Sequence, residues 1–306
     1  MNGIINVYKE KGFTSHDVVA KLRGILHMKK IGHTGTLDPD AVGVLPVCLG
    51  KGTGLVSMIT DWTKTYEAVL LLGTTTDTLD TSGKVLTQSA VNVDERAVIE
   101  VCSSFEGEYE QIPPMYSALK VNGRKLYELA RAGIEVERKP RRVVINSLRV
   151  NDINLEDDVK TVTITVDCSK GTYIRTLCDD IGRKLGCGAC MMSLKRTRVG
   201  EFVIDDTLTL NQIAALALKG EIEDYIVSID EMFKDYRKLT ISQEYNKLLY
   251  NGNRLPIEAV INEAGEFSDM EMFRVYDDKE AFIGIYKYAR GVLVLEKMFY
   301  ENNSDT

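Results

Sequence analysis

The 306-residue sequence predicts an α+β protein: a mixed, largely antiparallel sheet with flanking helices and loop insertions, then a small, mostly β C-terminal module. Three observations carry this. Strand and helix patterns are interspersed without the strict β-α-β alternation of a parallel sheet. Val162, Ile164 and Val166 alternate with Thr161, Thr163 and Thr165, a strand with one apolar face. Directly after it, Ile174, Leu177, Cys178, Ile181 and Leu185 share one helical face between Thr172 and a stop at Gly186.

Thr14-Ser15 caps a helix carrying Val18, Val19, Leu22, Ile25 and Leu26, with Asp17 favourable in its first turn. Residues 31–40, IGHTGTLDPD, read as a structured loop and not a regular element, and an apolar run at 44–49 follows. Tyr66, Ala68, Leu70 and Leu72 alternate with Glu67, Val69 and Leu71, a strand expected to be buried on both faces. Residues 73–84 are turn chemistry and 94–105 are helical. Pro113 and Pro114 hold 111–118 extended. A short helix over 124–132 closes at Gly133, and Val143, Val144 and Ile145 begin another strand. A break near 233–240 divides a domain of residues 1–235 from one of residues 236–306. The second carries a short helix (242–250), a turn at Asn251-Gly252, and a hairpin turning at Asp277-Asp278-Lys279.

This length supports a full core without disulfide or metal staples. No stretch approaches the roughly 18 apolar residues of a membrane span, and the N-terminus lacks a signal-peptide pattern, so a soluble cytoplasmic protein is expected. The six cysteines are then expected to be free thiols. Cys187 and Cys190 form a CxxC, but zinc wants a second pair or nearby histidines, and the three histidines lie far upstream. No metal is expected. Charge is uneven: residues 201–306 carry net −10 and residues 1–200 net +3, and 117–150 alone hold nine basic residues against three acidic. The acidic average argues against nucleic acid, yet only a contacting face needs positive potential; on composition alone, the strip reads as a solvated surface.

Three segments place polar residues beside rigid punctuation. They are Gly32 to Pro39, Lys64-Thr65-Tyr66, and Gly171 to Arg175 at a strand-to-helix junction. Taken singly, each has an ordinary explanation: a turn or cap aspartate, a core tyrosine, a helix start.

Taken together they form a series. Gly32-His33-Thr34-Gly35-Thr36-Leu37-Asp38-Pro39 resembles the signature of the TruB family, the bacterial tRNA pseudouridine-55 synthases. The resemblance continues in order through Lys9, Gly12, Thr14 and Ser15; Lys64 and Tyr66; Gly73, Thr76, Asp77, Thr78, Asp80 and Gly83. Beyond these follow Gln111 to Pro114, Ser117, Ala118 and Lys120, Gly171 to Arg175, and Leu194, Arg196 and Gly200. It covers roughly residues 1–205. Gly52-Thr53-Gly54 departs from the family's Ala-Thr-Lys, Met191-Met192 from its common His-Leu, Lys195 from an arginine, and Glu10 from a proline.

The resemblance implies the pseudouridine-synthase type of sheet, a PUA-like C-terminal module, and an isomerase that converts U55 in the tRNA T-loop to pseudouridine. No metal, nucleotide or redox cofactor is implied, because the reaction is neither a redox change nor a hydrolysis. It implies Asp38 as nucleophile, Arg175 as the cation that keeps it ionised, Tyr66 as the ring that holds the flipped base, and Tyr173 as the hydroxyl near C5. Leu194 would pack the base's other side and His33 would contact RNA. Lys9, Gly35, Thr36 and Lys64 would line the substrate, and Arg141 and Arg142 would belong to an RNA clamp spanning about 117–150. The expected partner is the tRNA T-arm, with no membrane, guide RNA or obligatory protein partner, and a monomer acting. The alternative is a tRNA-elbow folding chaperone in which catalysis is secondary.

Overall fold

The computed structural model of the protein describes residues 1–121, 123–262 and 265–300. Strand β1 (Gly3–Lys9) leads into helix α1 (Ser15–Ile25), whose first turn is closed by a reciprocal cap between Thr14 and Asp17. Residues 31–33 are not loop: they form β2 (Ile31–His33), paired antiparallel with residues 47–49 of β3 (Val42–Leu49). The glycines and the Asp-Pro that read as loop occupy only the segment after His33. Helix α2 (Val56–Thr60) precedes β4 (Lys64–Leu72), which buries Lys64, Ala68, Leu70 and Leu72 and leaves Thr65, Glu67, Val69 and Leu71 half-exposed. The expectation of burial on both faces is therefore corrected: this is an antiparallel strand with one face on the core.

The short pair β5 (Thr74–Thr76) and β6 (Val85–Gln88) brackets the predicted turn. Helix α3 (Glu95–Ser103), capped by Asp94, packs Val98 and Cys102 into the core, and β7 (Gly107–Gln111) follows. An insertion then carries the two-residue strands β8 (Lys120–Val121) and β9 (Arg124–Lys125) and helix α4 (Leu126–Arg131). It ends at β10 (Arg141–Asn154), which pairs with β7 and with β11 (Thr161–Cys168). The expected clamp of 117–150 thus loses its last ten residues to the sheet, because Val143, Ile145 and Leu148 are core side chains.

Helix α5 (Ile174–Lys184) lays its apolar face on the same core, and Gly186 ends it with φ +79°. Strand β12 (Ala189–Val199) then inserts between β3 and β4, antiparallel to β4 and parallel to β3. The parallel contact is tight: a Cβ on Gly43 would stand 2.2 Å from the Arg196 carbonyl oxygen. Strand β13 (Phe202–Val203), helix α6 (Leu210–Lys219) and β14 (Ile226–Val227) complete a sheet of order β14-β1-β3-β12-β4-β11-β10-β7, with β2 and β13 off this path.

A separate five-stranded sheet follows: β15 (Arg237–Thr240), helix α7 (Asn246–Tyr250), β16 (Leu255–Pro256), β17 (Met272–Tyr276), β18 (Phe282–Ala289) and β19 (Val292–Met298). It has its own core around Leu239, Phe273, Val275 and Tyr286. Ile285 and Phe299 reach across to Ile4, Val44 and Leu55. Among the described residues no helix is long and apolar enough to cross a membrane.

Lys9 ties β1 to the loop that follows β2. Its side chain is fully buried, and Nζ donates to the carbonyls of Glu10 (3.2 Å), Phe13 (2.6 Å) and Pro39 (3.2 Å). Burial pushes its ammonium down to about 8, against the pull of Asp38 and Asp40. Replacing Lys9 with Met keeps the stem and removes the ammonium donor that these three carbonyls share. We expect a loss of about 2–4 kcal/mol of stability, read as a lower urea midpoint. An unchanged midpoint would show that these carbonyls do not need the ammonium.

Candidate active site

The loop between β2 and β3 is pinned at several points. Thr34 donates to the Pro46 carbonyl through its amide (3.2 Å) and its hydroxyl (3.0 Å). The Leu37 amide donates to the Ser15 hydroxyl (2.9 Å), and the Ala41 amide donates to the Asp38 carbonyl (3.1 Å). The Asp38 backbone is thereby fixed as a turn while its carboxylate stays out of the turn's hydrogen bonds.

That carboxylate meets Arg175 from the first turn of α5. Arg175 Nε lies 2.9 Å from Oδ2, and Nη2 donates to Oδ1 at 3.3 Å, a two-point fork. Two backbone carbonyls also hold the guanidinium: Nη1 donates to Thr78 O (3.0 Å) and Nη2 to Tyr116 O (2.8 Å). Asp80 Oδ2 stands 3.8 Å from Nε. The Arg175 side chain is 7% exposed and that of Asp38 is 40% exposed, so the cation is enclosed and the carboxylate is open to solvent. Burial pushes the Asp38 carboxyl up, and Arg175 pulls it back down.

Asp80 and Gln111 were not singled out as site residues. Asp80 Oδ1 accepts from Thr78 Oγ1 (2.7 Å), Ser82 N (3.0 Å) and Ser82 Oγ (2.5 Å), which fixes the second carboxylate beside Arg175. Its loop is docked on β12 through Thr81 N–H to the Met191 carbonyl (3.0 Å) and Met191 N–H to the Leu79 carbonyl (3.0 Å). Gln111 is buried and brackets the Tyr173 backbone: Oε1 accepts from Tyr173 N (2.7 Å) and Nε2 donates to Tyr173 O (3.0 Å). The Thr-Asp-Thr-x-Asp spacing and the Gln before two prolines were the available signals.

Tyr66 lies on β4 opposite Arg196 of β12 and Val166 of β11. It packs on the core that contains Leu37, Ala41, Ile174 and Leu194. Burial raises its phenol, with the Arg196 guanidinium pulling the other way. Arg196 is itself enclosed, and its Nε donates to the Val44 carbonyl (2.7 Å). Tyr173 is half-buried at the start of α5. Burial raises its phenol too, while Ser117, Arg141 and Arg175 lower it. The structure therefore gathers Asp38, Tyr66, Tyr173, Arg175 and Leu194 around the lip of one core.

The remaining candidates divide. His33 ends β2 with Nδ1 3.1 Å from the Gly35 carbonyl, and burial lowers its imidazole. Gly35 holds φ +151° and Thr36 is exposed on the loop. Lys9 and Lys64 do not line an open surface, correcting that expectation. Lys64 Nζ is buried on the carbonyls of Thr60 (2.6 Å) and Trp62 (2.5 Å), and burial lowers it to about 8. Arg142 is ion-paired with Glu108. All six cysteines are buried free thiols, and no group of metal-ligating side chains is gathered among the described residues.

Comparisons with known proteins identify the family. Residues 23–174 match the model of the TruB family pseudouridylate synthase N-terminal domain, and residues 175–234 that of the tRNA pseudouridylate synthase B C-terminal domain. The tRNA pseudouridine synthase B of Lachnoclostridium phytofermentans is 52% identical over 293 residues, 94% of this chain and 95% of that protein. That of Clostridium perfringens strain SM101 is 43% identical over 98% of this chain and 100% of its own. Among solved structures, an H/ACA RNP bound to a substrate RNA containing 2′-deoxyuridine holds a chain that superimposes with TM-score 0.70 at 25% identity. That match covers 98% of this chain and 86% of the other. The chain belongs to the TruB family of pseudouridylate synthases.

Proposed function

We propose that this protein converts a uridine in tRNA to pseudouridine, at U55 of the T-loop, as a cytoplasmic monomer without guide RNA or cofactor. The observation that carries the proposal is the Asp38–Arg175 fork, closed on the arginine side and open on the carboxylate side, beside two tyrosines. The relatives named as tRNA pseudouridine synthase B support the substrate class. Closer identity to these than to the chain of the RNP supports stand-alone action.

The chemistry asks for little. The N1–C1′ bond breaks, the base turns, C5–C1′ forms, and the proton on C5 passes to N1; atoms and electrons balance without an external reagent. The target lies in a folded loop, so it must leave the stack at a cost of a few kcal/mol. Tyr66 offers a ring face to the extruded base, and Leu194 an apolar wall. Asp38 supplies the anionic nucleophile, and Arg175 holds it charged after the base displaces water. Tyr173, with its phenol raised, stays protonated at neutral pH; it serves as a hydrogen-bond relay near C5 and not as a free base. The insertion carrying Lys120, Arg124, Lys125 and Arg131 is tied to the site through the Tyr116 carbonyl on Arg175, so RNA held there is held over Asp38.

The test is incubation of the purified protein with transcribed tRNA and no cofactor, followed by mapping of pseudouridine. No product would overturn the proposal. Asp38→Asn should cut turnover by at least about three orders of magnitude while tRNA binding stays within several-fold. Retained turnover would remove Asp38 as nucleophile, whereas retained binding with remodelling of misfolded tRNA would favour the chaperone alternative.

Tyr66→Phe keeps the ring and should keep most of the activity. Tyr66→Leu should lose roughly 1–3 kcal/mol of base stacking, read as a fall in kcat/KM. Equal losses in the two variants would assign the work to the hydroxyl.

The pH dependence has a definite sign. Asp38 must be ionised, and its carboxyl lies above the ordinary aspartate value of about 3.9. The rate should be full above that raised midpoint and fall as pH drops through it. A single-turnover profile still flat at pH 4 would contradict this.

A further inference from the structure

Two adjacent arginines open β10, and the pleat of the sheet sends them to opposite faces. Arg141 stands directly across from Gln111, and Arg142 across from Glu110. Opposed residues in an antiparallel pair share a face, so Arg141 continues the row of Val143 and Ile145, the core side of the strand. Gln111, its cross-strand neighbour, is the residue that brackets the Tyr173 backbone. Arg142 lies on the other face, where it pairs with Glu108, two residues from its opposite number.

The two charges are therefore in different positions. Arg142 already has a carboxylate. Arg141 is exposed, and its guanidinium has no hydrogen-bond or ion-pair partner among the described residues. It is near enough to Tyr173 for its charge to act on the phenol. The carboxylate of Asp38 is already engaged by Arg175.

When a nucleotide flips, its base enters the pocket and its phosphates remain at the rim. A planar guanidinium matches phosphate oxygens at two points. We propose that Arg141 binds an RNA phosphate next to the extruded uridine and so positions that nucleotide over Asp38, while Arg142 takes no part in RNA binding. This rests on the functional reading above and divides a basic pair that composition treats as one.

The experiment uses the full chain and a T-arm hairpin in which one phosphate flanking the target uridine is replaced by a neutral methylphosphonate, the two flanking linkages being tested in turn. Affinity is measured by filter binding across a salt series, and pseudouridine formation is followed in the same reactions. Arg141→Ala should weaken binding of the native hairpin by about tenfold or more and reduce the salt slope by about 0.7–0.9. One of the two neutral linkages should weaken the wild type to the same degree and leave Arg141→Ala no weaker than before. Arg141→Lys should recover the slope with part of the affinity, and Arg142→Ala should keep the wild-type slope. Losses that multiply at both linkages would overturn the proposal, as would an Arg142→Ala slope equal to that of Arg141→Ala. Failure of the wild type to form pseudouridine on the native hairpin would instead overturn the functional reading itself.

Discussion

The enclosed guanidinium of Arg175 is the interaction on which the rest of the site depends. A buried cation is costly unless every donor finds an acceptor. Here the acceptors come from three separate segments: the Asp38 loop, the loop carrying Thr78 and Asp80, and the insertion at Tyr116. Satisfying one charge thus ties three separate segments together at one point. It also distributes the roles. The arginine cannot move without stranding its partners, so the less enclosed Asp38 is the member free to meet a ligand. Asp80 adds a second carboxylate held by its own hydroxyl and amide donors, which balances the cation from another side.

The sheet provides the other half of the geometry. Tyr66 and Leu194 share the core lip because β12 carries two irregularities against β4, between Met191 and Ser193 and between Arg196 and Arg198. Each extra residue reverses which side chains face inward. Ala189 and Met191 point to the core before the first bulge, Leu194 and Arg196 after it, and Val199 after the second. Within the C-terminal module Arg237 pairs with Glu271, Lys238 with Glu280 and Lys287 with Glu296, while Lys297 reaches out to donate to the Gly54 carbonyl. Its apolar contact with Ile4, Val44 and Leu55 supports β1 and β3, the strands beside the Asp38 loop.

How much of this was legible in the sequence follows from the same physics. Helices announced themselves through caps and stops, as at Thr14 with Asp17 and at Gly186. Strand β11 announced itself by strict alternation. Strand β12 did not, since two bulges break a period of two, and its residues were noticed only as motif positions, not as a strand. Strand β2 was hidden because three residues carry no period at all. The basic strip over 117–150 merged two objects, an insertion and a sheet strand, because charge has no periodicity to separate them. The chemistry of Asp38, Tyr66, Tyr173 and Arg175 was suggested by motif order; their mutual distances were not, since Asp38 and Arg175 are 137 residues apart in the chain. Lys9 and Lys64 illustrate the opposite error. A lysine in a motif suggests substrate, but these two hold backbone carbonyls inside the fold.

The place of β12 in the sheet has a consequence for the chain as it leaves the ribosome. Strands β3 and β4 are made early, yet neither finds its shared neighbour until residues 189–199 have emerged. Until then both expose unpaired edges lined by apolar side chains, the condition in which chains associate wrongly. The gap can be filled only by a segment arriving more than a hundred residues after β4 begins, so assembly is dominated by distant contacts and is slow for a protein of this size. A nascent chain stopped short of Arg196 would hold the Asp38 turn and even Arg175, but no continuous sheet beneath them. Synthesis to the end of that strand is the earliest moment at which this catalytic sheet can exist.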